Sequence, residues 1–134
     1  MSDTPQAKFM DAREIGSFGE KLAYEYLVNK GYRILGKNCK YFCGEIDIVA
    51  KKKGIFGKKP IHFIEIKTSL AGNNNFFPEQ RAGFTKQQKY KKLSEIWLLN
   101  NKIPENTPYQ IDIVAILIKD NPEITFFENI LSES

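Results

Sequence analysis

The sequence predicts an α/β sandwich, with a mixed central β-sheet flanked by helices. Three observations carry this expectation. An amphipathic helical stripe opens the chain, and β-branched runs with a turn-rich connection between them follow. After a second helical stretch comes a nearly unbroken apolar run, Ile111 to Ile118. A run apolar on both faces marks a central strand. Helices interspersed with strands are then expected to pack against the sheet.

The first helix is expected from about Asp11 to Asn29. Ile15, Phe18, Leu22 and Tyr26 recur three and four residues apart, with Gly19, Ala23 and Leu27 widening the stripe. Gly31 suits the left-handed conformation that ends many helices. Strands are predicted from Tyr32 to about Lys37, from Glu45 to Lys51, and from Ile61 to Thr68. The connection between the last two contains Gly54 and Gly57, both turn signals. A loop from Ser69 to Gly83 follows; its Phe76 and Phe77 are candidates to stack on a base or to tuck against the core. The second helix is expected from about Thr85 to Asn100, with Tyr90, Leu93, Ile96 and Trp97 inward. Strands at Ile111–Ile118 and at about Glu123–Phe127 complete the chain.

Composition bounds the rest. The 134 residues suit one domain, spanning 1–134 with residues 1–10 flexible. Twenty basic and sixteen acidic residues leave a net charge of +4, compatible with a nucleic-acid partner without requiring one. No stretch reaches the roughly 18 apolar residues of a membrane span, so no membrane partner is expected. The N-terminus has neither the basic start nor the apolar stretch of a signal peptide, which points to the cytoplasm. Cys39 and Cys43 match no disulfide framework, and His62, the only histidine, cannot complete a zinc set with them.

Two apolar runs carry charges where packing is expected: Gly44-Glu45-Ile46-Asp47-Ile48-Val49-Ala50 and Ile64-Glu65-Ile66-Lys67-Thr68. Side chains alternate faces along a strand. Glu65, Lys67 and Phe63 therefore share one face, with His62, Ile64 and Ile66 on the other. By the same rule Asp47 joins Glu45 and Val49, opposite Ile46 and Ile48. Pairing of the two runs would bring Asp47 beside Glu65, where like charges repel. A divalent cation between them relieves that repulsion, and oxygen ligands suit Mg²⁺ or Mn²⁺. Lys67 is spaced to hold a water or to steady negative charge as it develops. The plainer reading is a solvent-facing Glu65–Lys67 pair on an edge strand, with Asp47 exposed. Asp112, in Ile111-Asp112-Ile113-Val114-Ala115, is a rival ligand on periodicity, although no Glu-x-Lys follows it.

Gly19-Glu20 with Ala23 and Leu27, Gly31-Tyr32 with Ile34-Leu35, Asn38, then GEIDIVA and FIEIKT, together resemble the YraN-type family. These are small bacterial proteins of the restriction-endonuclease-like fold, similar to archaeal Holliday-junction resolvases. The resemblance runs from about Glu14 to about Leu117. It implies a metal-dependent DNA endonuclease, selective for branched or single-stranded DNA, with Mg²⁺ or Mn²⁺ as cofactor. Asp47, Glu65 and Lys67 would take the catalytic positions and Glu20 would be the acid supplied by the helix. The backbone carbonyl of Ile66 would be a further metal ligand, and Lys86 or Gln87 the polar residue lent by the second helix. Resolvase-like enzymes commonly act as dimers, so a homodimer is an expectation. Three positions depart from the pattern: Ile46 replaces proline, while Ser69 and Lys40 stand where arginine is usual.

Two basic clusters are candidate DNA contacts. One is the connection after the second strand, where Lys51, Lys52 and Lys53 lead a group of five lysines in nine residues. It reads either as a solvated turn or as a phosphate contact. The other is the start of the second helix, with Lys86, Lys89, Lys91 and Lys92. Cations there oppose the helix dipole, so something else must favour them, and a nearby polyanion is the candidate. The alternative function is a non-catalytic nucleic-acid-binding module that retains the nuclease fold.

Overall fold

A computed structural model describes residues 10–54, 57, 59–71 and 84–131. The expected flexibility before Met10 and the stacking role of Phe76 and Phe77 concern residues outside those described. Helix α1 spans Ala12–Asn29 and begins with a reciprocal cap. Asp11 accepts the Glu14 backbone N–H at 2.8 Å, and Glu14 accepts that of Asp11 at 3.1 Å. Gly31, at φ 93°, takes the left-handed conformation just past the helix end.

The sheet has five strands in chain order: β1 (Tyr32–Tyr41), β2 (Gly44–Lys52), β3 (Ile61–Leu70), β4 (Tyr109–Ile118) and β5 (Glu123–Phe127). Helix α2 (Phe84–Asn100) lies between β3 and β4. All neighbouring strands are antiparallel except β3 and β4, which α2 connects as a parallel pair. The mixed α/β sandwich expected from the sequence is therefore present. Ala23 and Leu27 of α1 pack on one sheet face with Ile48, Ala50, Ile64, Val114 and Ile116. Tyr90, Leu93 and Trp97 of α2 pack on the other with Ile46, Val49, Phe63 and Ile111. Both faces of β4 are covered, as its apolar run predicts.

Gly19 sets how closely α1 approaches the sheet. A Cβ built at this position would lie 2.0 Å from the Thr68 hydroxyl oxygen, so only glycine fits. That contact lowers the next residue, Glu20, toward the ends of β2 and β3.

Strand alternation fails within β2, apart from the register shift between Ile34 and Gly36 in β1, and this corrects the expected faces of β2. Ile46 and Val49 pack toward α2, whereas Ile48 and Ala50 pack toward α1. Asp47 thus shares the α1 side with Ile48 and does not share a face with Val49. The cause lies across the ladder. Lys37 pairs with Ile48 and Cys39 with Ile46, but neither Asn38 nor Asp47 takes a partner in the β1–β2 pairing. Asn38 adopts φ 50°, the left-handed region that asparagine tolerates better than most residues. The kink re-aims one side chain on each strand.

Candidate metal centre

β2 and β3 separate where the acids gather. Their ladder runs from Lys51 opposite Ile61 only as far as Ile48 opposite Ile64. One step further, side chains replace the missing backbone bonds. Asp47 Oδ2 accepts the Ile66 N–H at 2.8 Å. The Tyr90 hydroxyl donates to the Ile64 carbonyl at 3.0 Å and lies 3.4 Å from the Asp47 N–H. Burial raises the Tyr90 phenol well above its ordinary pKa, and the Asp47 and Glu65 charges add to the effect, so the phenol stays a donor. Tyr90 was expected as core, which it is; nothing in its helical spacing announces the hydroxyl's second task.

Glu20, Asp47 and Lys67 line one cavity of about 490 Å³ between α1 and the parting strands. Within its lining, the Ser69 hydroxyl is buried without a hydrogen-bond partner among the described residues. Glu20 and Asp47 also border a neighbouring cavity of about 260 Å³ with Asn38. With its amide nitrogen turned toward the acids, Asn38 donates to Glu45 Oε1 at 3.1 Å and Glu20 Oε1 at 3.2 Å. Asn38 and Glu45 are thus parts of the centre that sequence reasoning left without a role, although both fall within the motifs.

The electrostatics differ sharply between the two strands. Burial pushes the Asp47 carboxyl up to about 6 from an ordinary 3.8. The charges of Glu65, Glu45 and Glu20 raise it further, and the Ile66 N–H opposes them. Glu65, by contrast, holds two cations on one oxygen: Lys67 at 3.1 Å and Lys86 at 3.2 Å. For Lys67, burial disfavours the ammonium, but the Lys86 contact and the Glu65 charge prevail and raise its pKa. Burial lowers that of Lys86, and the adjoining Lys67 lowers it further against the pull of Glu65. Lys67 is therefore the more firmly protonated of the two amines.

These contacts place the predicted residues. Lys86 does come from α2 to the centre, and Glu65 is the anion that favours a cation at that helix start. Gln87 follows it, half-buried, and Lys89 is exposed on the same helix. Lys51, Lys52 and Lys53 are not beside the acids, because they lie at and just past the opposite end of β2. Lys51 is four positions from Asp47, about 13 Å of strand at roughly 3.3 Å per residue. Asp112 is removed as a rival ligand. Its Oδ2 lies 2.6 Å from His62 Nδ1, and its Oδ1 accepts from Gln110 Nε2 at 2.9 Å and Asn129 N–H at 2.8 Å.

The donors suit a hard divalent cation in kind: carboxylates and a backbone carbonyl, without thiolate or imidazole. Asp47 in particular is an anion in a negative, partly dry setting, which a cation would relieve. Among the described residues, however, no three acidic, histidine or cysteine side chains already stand as a cage. Glu65 is instead turned to its two lysines.

A consequence for stability follows from the Asp47 shift. A carboxyl whose folded pKa exceeds its unfolded value favours folding fully below about pH 3.8, and this contribution is lost as pH rises through about 6. Asp47→Asn keeps an oxygen for the Ile66 N–H and removes the charge. Without metal, it should be more stable than the wild type by roughly 2–3 kcal/mol at pH 8, at about 1.4 kcal/mol per pH unit. The difference should vanish below about pH 4. Urea unfolding in EDTA at both pH values measures it; a variant less stable than the wild type at pH 8 would contradict the repulsion.

The fold and this centre define a class: a mixed α/β sandwich with acids and lysines gathered where two strands part. The model of the Uncharacterised protein family UPF0102 matches residues 19–116. The chain belongs to that family, the YraN family its motifs resemble. A UPF0102 protein of Caldanaerobacter subterraneus subsp. tengcongensis is 35% identical over 123 residues, 92% of this chain and 93% of that protein. One from Thermodesulfovibrio yellowstonii is 40% identical over 116 residues, 87% of this chain and 94% of its own. A third, from Caldicellulosiruptor bescii, is 34% identical over 116 residues, covering 87% and 92% respectively. No helix among the described residues is long and apolar enough to cross a membrane.

Proposed function

We propose that the protein is a metal-dependent DNA endonuclease acting on branched or single-stranded DNA in the cytoplasm. The observation that carries this reading is Asp47: a half-buried carboxylate facing a cavity shared with Glu20 and Lys67, at the point where β2 and β3 part. Asp47 and Glu20 would hold Mg²⁺ or Mn²⁺, with Glu65 and the Ile66 carbonyl as the further donors. A cation bound there would promote loss of a proton from water and offset phosphate charge.

The chain's own residues supply the remaining work. Asn38 fixes Glu20, and the Ile66 N–H with Tyr90 fixes Asp47, so the donors are oriented in advance. Lys67, kept protonated by Glu65, steadies the negative charge that gathers on the phosphoryl oxygens as water attacks phosphorus. The phosphorus–oxygen ester bond breaks to give a phosphomonoester and an alcohol, whose oxygen takes up a proton. Lys86, the more readily deprotonated amine, is placed to exchange protons near Glu65.

The pairing of Glu65 with both lysines favours a second reading, a nucleic-acid-binding module that keeps the fold without turnover. Metal binding separates the two. Mn²⁺ titrated into the full chain and followed by electron paramagnetic resonance should show a site that Asp47→Asn weakens at least tenfold. Equal Mn²⁺ affinity in both proteins would favour the non-catalytic reading.

A further inference from the structure

We propose that the cationic groove between the β2–β3 and α2–β4 connections holds the phosphodiester backbone of a duplex DNA arm. The inference deepens the nuclease reading and rests on it for the choice of DNA. The groove, about 600 Å³, is lined by Arg33, Lys51, Lys52, Lys53 and Lys59, together with Asn106 and Thr107. Among the described residues none of these five cations pairs with a carboxylate, and no carboxylate borders the groove. Arg33 and Lys51 are cross-strand partners, so two of the cations are held side by side by the ladder itself. Lys52 is steadied over the Tyr32 ring, 5.3 Å from its centroid.

Five like charges around one concavity repel one another and destabilise the compact chain. A solvated turn would spread them apart, whereas here Arg33 from β1 and Lys59 from beyond the turn converge with the β2 lysines. A polyanion relieves that repulsion by taking the place of condensed counterions. Asparagine and threonine, which also line the groove, carry groups that commonly bond phosphate oxygens.

The location explains how a substrate could be held at all. The centre at Asp47 concentrates Glu20, Glu45 and Glu65 around it and repels phosphate, so affinity has to come from elsewhere. Lys51 and Lys53 stand four and six strand positions from Asp47, about 13–20 Å at roughly 3.3 Å per residue. Duplex DNA advances about 3.4 Å per base pair. An arm of about four to six base pairs therefore reaches from one centre to the other.

The test uses fluorescein-labelled branched DNA with one arm varied from three to twelve base pairs, bound to the full chain in EDTA so that cleavage plays no part. Anisotropy should show affinity rising at least tenfold once the arm passes about six base pairs. The triple variant Arg33→Gln, Lys51→Gln, Lys59→Gln should bind long arms no better than short ones. Its slope of log affinity against log salt should be shallower by about 2–3, near 0.9 per lost contact. Short arms should bind wild type and variant alike, which also verifies that the variant is folded. Affinity independent of arm length, or an equal loss on every arm, would overturn the groove's role. So would tighter binding of the matching RNA duplex, for the assignment to DNA. A length step from a protein that cuts none of these DNAs once Mg²⁺ or Mn²⁺ is added would leave the groove standing and remove the nuclease reading; cutting with either metal, without the step in EDTA, would do the reverse.

Discussion

Lys67→Met should bind DNA as the wild type does and cut it roughly 10²–10³ times more slowly, the usual effect of removing one preorganised charge contact. The methionine keeps most of the lysine stem's packing while the ammonium disappears. Glu65 retains Lys86, 3.2 Å away on the same oxygen, so the carboxylate is not left alone. Asp47 keeps its bond from Ile66, and the cationic groove is untouched. Mn²⁺ should bind equally or slightly more tightly, because Glu65 has lost a competitor. Single-turnover cleavage at saturating metal reads the effect. A near wild-type rate would remove Lys67 from the chemistry and leave it as a structural partner of Glu65.

Asp112→Ala should be the most damaging change to the fold. Asp112 is fully buried, and it receives Gln110 and the Asn129 N–H on one oxygen while contacting His62 through the other. The segment after β5 is held through this carboxylate and through the Ile130 N–H bond to the Ile111 carbonyl. Removing one member of a buried pair typically costs about 3–5 kcal/mol, since the groups left behind are neither solvated nor paired. Asp112→Asn keeps an acceptor for Gln110 and Asn129 and should lose markedly less. Chemical denaturation compares them; if alanine and asparagine prove equally mild, the network is not what anchors the chain's end.

The five residues Ile-Asp-Ile-Val-Ala occur twice, and their two fates show what the sequence discloses. Both copies announce a β-strand with an acid in it. Only the surroundings separate them. Asp112 lies in β4, covered on both faces, with His62 of β3 within reach. Asp47 lies where a left-handed Asn38 breaks the β1–β2 ladder and β2 leaves β3. No local pattern around Asn38 announces that kink, so strict alternation put Asp47 on the wrong side of Val49. The elements themselves were legible because their apolar periods are strong; even so, β1 runs on to Tyr41, past the predicted end near Lys37, because β2 pairs along it.

The side chains of the centre divide in the same way. Motif spacing names Asp47, Glu65 and Lys67, and the family resemblance adds Glu20. The sharing of one Glu65 oxygen by Lys67 and Lys86 depends on how α2 crosses the sheet, which no spacing encodes. Of the basic start of α2, Lys86 pairs with a carboxylate of the chain itself, Glu65. Tyr90 and Asn38 act through tertiary hydrogen bonds and leave no periodic trace.

The central claim is metal-dependent cutting at Asp47, and one comparison tests it most directly. Purified wild type and Asp47→Asn would be incubated with branched, single-stranded and fully duplex DNA, in Mg²⁺, in Mn²⁺ and in EDTA. The account predicts cleavage of branched or single-stranded DNA by the wild type with either metal, none in EDTA, and none by the variant. Cleavage that survives in Asp47→Asn, or a wild type that cuts no substrate with either metal, would contradict it.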